Sequence, residues 1–114
     1  MVKIKRIYES PTPSSEDGKR VLIDRLWPRG LRKDEVVVDD WIKEIAPSSQ
    51  LRKWFGHDPA KWEEFKKRYR QELEGKKEIV DRLRADARRG TLTILYSAKD
   101  TEHNNAVVLK ELVQ

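Results

Sequence analysis

The chain has 114 residues, enough for one domain over 1–114 with a core that needs no disulfide or metal staple. It has no cysteine, which excludes disulfides, thiol catalysis and Cys-ligated metals, and its two histidines exclude a His-rich metal site. Hydrophobic residues make up 37% and charged residues 39%, and the four Trp, three Tyr and two Phe argue for a small packed core under a charged surface rather than disorder.

The formal net charge is +5, from 25 basic against 20 acidic residues interleaved along the chain. A nucleic-acid binder more often gathers its Lys and Arg on one face or tail, so the balance is compatible with anionic ligands without naming one. Mixed charge of this density suits a heat-adapted protein. MVKIKRIY lacks the apolar stretch of a signal peptide, and no run approaches the ~18 apolar residues of a membrane span. The expectation is a cytoplasmic protein with no membrane partner.

Residues 2–8, VKIKRIY, read as a partly exposed strand, and SPTPSSEDG at 10–18 as a loop dense in turn residues. Residues 20–26 form a second strand, more continuously apolar and so more central, ended by Pro28 and Gly30. Asp39 or Asp40 can cap a short helix, WIKEI, that stops before Pro47. Ser48 or Ser49 can cap QLRKWF, which ends at Gly56. Asp58-Pro59 is a stronger start signal, a capping carboxylate before a proline at the first helical position. Trp62, Phe65, Tyr69 and Leu73 then recur on one helix face. After Gly75, Ile79, Val80, Leu83 and Ala87 make a further amphipathic helix that ends at Gly90. TLTILY at 91–96 is a buried third strand. Asp100 or Thr101 caps a last helix with Ala106, Val107, Leu109 and Val113 apolar. The alternating charges of 66–89 read as a solvated face.

This is an α/β pattern: one small domain with a mostly parallel three-stranded sheet flanked by about five helices. The long helical connection makes the second and third strands parallel neighbours. The first connection has no helix signal, so the direction of the first strand stays open. If the second and third strands run together, Asp24, Arg25, Trp27 and Arg29 meet Ser97, Lys99 and Asp100 at one edge. The last helix adds Thr101, His103, Asn104 and Asn105. Open α/β sheets bind ligands beyond the carboxyl ends of their strands, and a helix start offers free N–H groups.

Each part also has a structural reading. Asp24 and Arg25 can form an ion pair that pins the 27–33 loop, Trp27 can belong to the core, Arg29 can bond loop carbonyls, and Asp100 can be a cap. Lys99 can be surface, and His103 a solvated histidine rather than an acid or base. Asp58 is most simply a cap, with His57 bonding across the turn. Ser97 has no evident base partner, and a magnesium site at Asp24 or Asp100 has no spacing signature. No GxSxG, Walker A, GxGxxG or HExxH motif is present.

The stretches RIY at 6–8, DGKRVLIDRLWPRGL at 17–31, APSSQLRKWFGHDPAKWEEFKKRY at 47–69 and LYSAKDTEHNNAVVL at 95–109 carry a resemblance. They resemble the YeaO-like branch of domain-of-unknown-function family 488, in order and over most of the chain. The resemblance implies a small α/β domain with the first strand parallel to the second, and no established activity. In the wider family a helix fills the connection that is a Ser/Pro loop here. Relatives that carry Cys-His-Arg have their counterpart in Glu102-His103-Asn104, so any thiol chemistry is absent here. The family's motif positions fall on Asp24, Arg25, Trp27, Pro28, Arg29, Gly30, His57, Asp58, Lys99, Asp100, His103 and Asn104.

The leading expectation is a site for a phosphorylated or nucleotide-like anion at the C-terminal strand edge. Arg25, Arg29 and Lys99 would hold the charge. Trp27, Asp100 and Asn104 would complete the binding set, and Asp24 and His103 would be the acid–base candidates. No metal is expected, and no cofactor is implied. The alternatives are a nucleic-acid-binding module, or a non-catalytic interaction protein that uses the WFGHDP face.

Overall fold

The computed structural model describes all residues, 1–114. Four strands form one sheet: β1 (Val2–Arg6), β2 (Lys19–Leu22), β3 (Asp40–Trp41) and β4 (Leu92–Tyr96), in the order β1-β4-β2-β3. Every pairing is parallel, so all four C-terminal ends point one way. The expected parallel neighbours, β2 and β4, do pair, with Lys19 opposite Leu92 and Leu22 opposite Leu95. The open question of the first strand is answered: β1 lies parallel against β4, with Val2 opposite Leu92 and Arg6 opposite Tyr96.

The helices are α1 (Ser49–Phe55), α2 (Trp62–Glu74), α3 (Lys77–Arg89) and α4 (Asn105–Val113). Two expectations are corrected. The sheet has four strands rather than three, because Asp40–Trp41 joins it. The WIKEI segment therefore begins as strand and keeps only a 3-10 turn at Lys43–Ile45. Tertiary pairing overrides local helix signals here: Ile42 N–H donates to the Leu22 carbonyl at 2.9 Å. Asp39, a candidate cap, instead accepts the Arg20 N–H at 2.8 Å. There are four α-helices rather than about five, and Asp58 starts a 3-10 turn, Pro59–Lys61, that feeds α2.

Strand alternation divides the core. Val21, Ile23, Leu92, Ile94 and Tyr96 face the helical layer built around Phe65, Tyr69, Leu83 and Leu109. On the other face, Leu22 and Leu95 pack with Ile7 and Val36. No helix covers that face. It is closed by the irregular connection between β2 and β3, which lays Trp27 and Leu31 over it, together with Trp41 of β3. The DRLWPRG run is thus both lid of the second core and rim of the strand ends. At the opposite end of β2, Gly18 has φ +60°, and a Cβ there would stand 2.1 Å from the Thr91 carbonyl oxygen. Glycine is required for β2 to enter the sheet beside β4.

Candidate functional site

Beyond the ends of β2 and β4 lies a cleft of about 470 Å³. Asp24 organises one side of it. Its Oδ2 accepts the Ser97 N–H at 2.8 Å and the Ser97 hydroxyl at 2.7 Å, and its Oδ1 accepts the Asn105 amide at 3.3 Å. Its backbone carbonyl accepts the Trp41 indole N–H at 2.7 Å. One carboxylate thereby ties the end of β2 to the end of β4 and the start of α4. An Asp24–Arg25 ion pair does not form, and Arg25 stays exposed. Ser97 does have an acidic neighbour after all, but it spends its hydroxyl proton on the Asp24 brace.

The arginine-bearing loop is held from several directions. The Tyr8 hydroxyl donates to the Arg29 carbonyl at 2.7 Å, and the Trp27 indole donates to the Leu31 carbonyl at 2.6 Å. Trp27 meets Trp41 edge to face at 5.4 Å. Trp27 is half-buried, packs against the second core and lines the cleft. A loop already fixed in shape loses little entropy when a ligand arrives.

Charge in the cleft is one-sided. Arg25, Arg29, Arg52 and Lys53 line it, and Asp24 is the sole carboxylate on the wall. None of those four cations has a carboxylate partner, whereas Arg20, Arg32, Arg68, Arg70, Arg82, Arg84 and Arg89 each do. Arg52 reaches Ser49 Oγ with one terminal nitrogen at 3.2 Å, and its Nε is buried without any partner. An unmatched buried donor costs free energy until something accepts from it, on the order of 1–3 kcal/mol.

His103 and Asn104 complete the floor near α4. His103 Nδ1 meets Asp100 Oδ2 at 2.9 Å, and the ring stands edge-on to Trp62 at 5.3 Å. Asp100 was expected as a cap of α4 but is not one, and it lies off the cleft wall. It closes the turn before the helix, where the Glu102 N–H above all, then the His103 ring and N–H, hold its carboxyl below the usual range. The cap of α4 is the buried Asn104, whose side-chain oxygen accepts the Val107 N–H at 3.2 Å. Lys99 is exposed and lies outside the cleft, because the chain turns away after β4. Arg52 and Lys53, which were not expected, line the cleft from α1. Sequence reading missed them because α1 looks like an ordinary charged helix. The useful signal was that Leu51 and Phe55, both buried, fix which way the helix faces.

His57 lines the cleft too, as the one non-glycine residue with positive φ, at 57°. It follows Gly56, the left-handed cap that ends α1. Trp54 and Trp62 are half-buried: Arg68 stacks 4.1 Å above Trp54, and Phe65 lies 5.6 Å from Trp62. Beneath the site the Tyr69 hydroxyl is wholly buried and donates to the Ile45 carbonyl at 2.7 Å. Burial, with the charges of Asp24 and Glu72, pushes that phenol well above its ordinary pKa. No group of histidine and acidic side chains is arranged to hold a metal ion.

A family model described as DUF488-N3i, the Inactive DUF488-N3 subclade, matches the chain over residues 1–114. The chain belongs to that subclade. Its resemblance to the YeaO-like branch stands as well. This DUF488-N3i chain is 42% identical over 110 residues to the uncharacterized protein YeaO of Escherichia coli, covering 96% of this chain and 94% of YeaO. It is 38% identical over 112 residues to uncharacterized protein Rv3073c of Mycobacterium tuberculosis, covering 98% of this chain and 92% of the relative. The same figures hold for uncharacterized protein Mb3100c of Mycobacterium bovis. No solved structure matches this DUF488-N3i chain. No helix in it is long and apolar enough to cross a membrane.

Proposed function

We propose that the cleft binds a small phosphorylated or nucleotide-like anion. The single observation behind this reading is that Arg25 and Arg29 from the loop after β2, and Arg52 and Lys53 from α1, line one cleft without a carboxylate partner. Cations left unneutralised in a concavity repel one another, and an anion relieves that repulsion while accepting their hydrogen bonds. Asn104 and His103 stand at the same wall. His103 is oriented by Asp100, which accepts the Nδ1 hydrogen; its other ring nitrogen accepts in the neutral ring and donates to an anion only in the imidazolium.

Asp24 fits a positioning role better than that of a general base, because both its oxygens already accept protons from Ser97 and Asn105. The subclade's description as inactive agrees with binding as the role this cleft keeps. Asp100 acts through His103, and Lys99 supplies at most long-range charge.

Thermal shift tests the reading with pyrophosphate, ribose 5-phosphate and adenosine 5′-monophosphate against wild type, Arg25→Ala and Arg52→Ala. At a hundredfold excess over Kd, wild type gains about 2.7 kcal/mol, a rise of several degrees in Tm. Each variant binds roughly ten- to a hundredfold more weakly, as loss of a charged hydrogen bond implies. Absence of any shift, or equal shifts in all three proteins, would falsify the proposal.

A further inference from the structure

Two features of the cleft remain without a partner once the anion is placed. The first is Leu26, 62% exposed and one of three large apolar side chains left in water, which sits on the cleft wall. The second is His57. Its left-handed backbone is uncommon for any residue with a side chain, though histidine tolerates it better than most. The turn it makes is closed by the Asp58 N–H, which donates to the Phe55 carbonyl at 3.0 Å, so it is the ring and not the backbone that lacks a partner. The imidazole nitrogens bond to no other group of the chain, and the ring lies tilted beside Phe55 with centroids 6.4 Å apart, near the outer limit of aromatic contact. An exposed ring without a partner on a cleft wall points to something outside the protein that it meets.

Below these two residues the cleft has an apolar floor. Phe55 and Phe65 are buried there and stacked at 4.3 Å, and Ala98 and Pro28 line the same space. A ligand that were only phosphate or sugar phosphate would leave Leu26 in water. A ligand with a flat ring would cover Leu26 and give the His57 imidazole a face to stack on or an edge to bond.

We infer that the bound anion carries a flat heterocyclic ring, as a nucleoside phosphate does, and that Leu26 and His57 are the residues that select for it. This rests on the anion reading above. The cationic wall supplies charge, and Leu26, His57 and the phenylalanine floor supply discrimination between ring-bearing and ring-free phosphates.

Calorimetric titration with adenosine 5′-monophosphate and ribose 5-phosphate tests the inference on wild type, His57→Gly, His57→Asn and Leu26→Ser, with the Tm of each. Wild type prefers the nucleotide by about tenfold or more, the scale of base stacking on a side chain. In His57→Gly and Leu26→Ser the preference falls to within about threefold, with ribose 5-phosphate affinity unchanged. His57→Gly melts no lower than wild type, because glycine removes the backbone strain. His57→Asn keeps the backbone preference without the imidazole and loses selectivity in the same way. If wild type binds both probes equally, or if the preference survives in the variants, the ring inference is overturned while the anion reading stands. If wild type binds neither probe, both are overturned.

Discussion

Asp17 shows how one side chain sets a boundary condition for the site. It is fully buried and accepts from Arg20 at 2.7 Å, from Lys5, and from the Ser14 N–H at 3.0 Å. Burial alone would raise its pKa, but Lys5, Ser14 and Arg20 together hold the carboxyl well below the usual carboxylate range. Arg20 in turn donates to the Val37 and Ser10 carbonyls, so this network fastens the Ser/Pro loop and the stretch before β3. A carboxyl depressed in the folded state contributes stability that is complete above its unfolded pKa of about 3.9 and is lost as pH falls below it. Asp17→Asn therefore lowers unfolding free energy at pH 7 by about 3–5 kcal/mol, the cost of breaking a buried pair. The gap from wild type narrows steadily below about pH 4. Urea melts of both proteins from pH 7 to pH 3 check this; a gap that is constant with pH, or absent, refutes it.

Residue roles at the cleft were only partly legible. Asp24, Arg25, Trp27, Arg29, His103 and Asn104 stand on its wall, as strand-end geometry suggested. Lys99 and Asp100 do not, because position at a strand end says nothing about which way the following turn sends a side chain. Arg52 and Lys53 were invisible for the opposite reason: their place depends on helix rotation against a core that no local pattern describes.

Elements of secondary structure were most legible where burial is continuous. VLI is apolar without interruption and LTILY is buried throughout, with only Thr93 polar, and their strands lie at the centre of the sheet. Strand β3 escaped notice because Asp40–Trp41 is too short to have a period, and it exists only through its pairing with Val21 and Leu22. The cap of α4 was misplaced because Asp100, Thr101 and Asn104 all have capping side chains, and only the path of the backbone chooses Asn104. The meeting of β2 with β4 rests on a glycine. Gly18→Ala introduces both a left-handed alanine and a Cβ 2.1 Å from the Thr91 oxygen. It is expected to cost roughly 3 kcal/mol or more, since the φ alone costs about 1–2 kcal/mol. Chemical denaturation measures this directly, and a loss below about 1 kcal/mol would mean that the β2–β4 approach is looser than described.

Across the whole molecule, charge is sorted. Arg68 with Glu64, Arg70 with Glu111 and Arg84 with Asp81 are exposed pairs on the helical layer, each worth little at room temperature. The expected solvated face at 66–89 is of this kind. The cleft differs in degree: none of its three arginines is paired, whereas outside it seven are and only Arg6 and Arg88 are not. A chain whose basic residues are spread evenly in sequence thus presents an uneven field in space. Composition alone is only compatible with anionic ligands, since neutralisation depends on which carboxylates the fold brings near.

The most direct test of that sorting is calorimetric titration of adenosine 5′-monophosphate at low and high salt, on wild type and on the Arg25→Ala/Arg52→Ala double variant. Wild-type affinity is predicted to weaken as salt screens the cationic wall. The double variant should bind at least about a hundredfold more weakly and lose most of the salt dependence. Equal affinity in the two proteins, or wild-type binding indifferent to salt, would contradict the account.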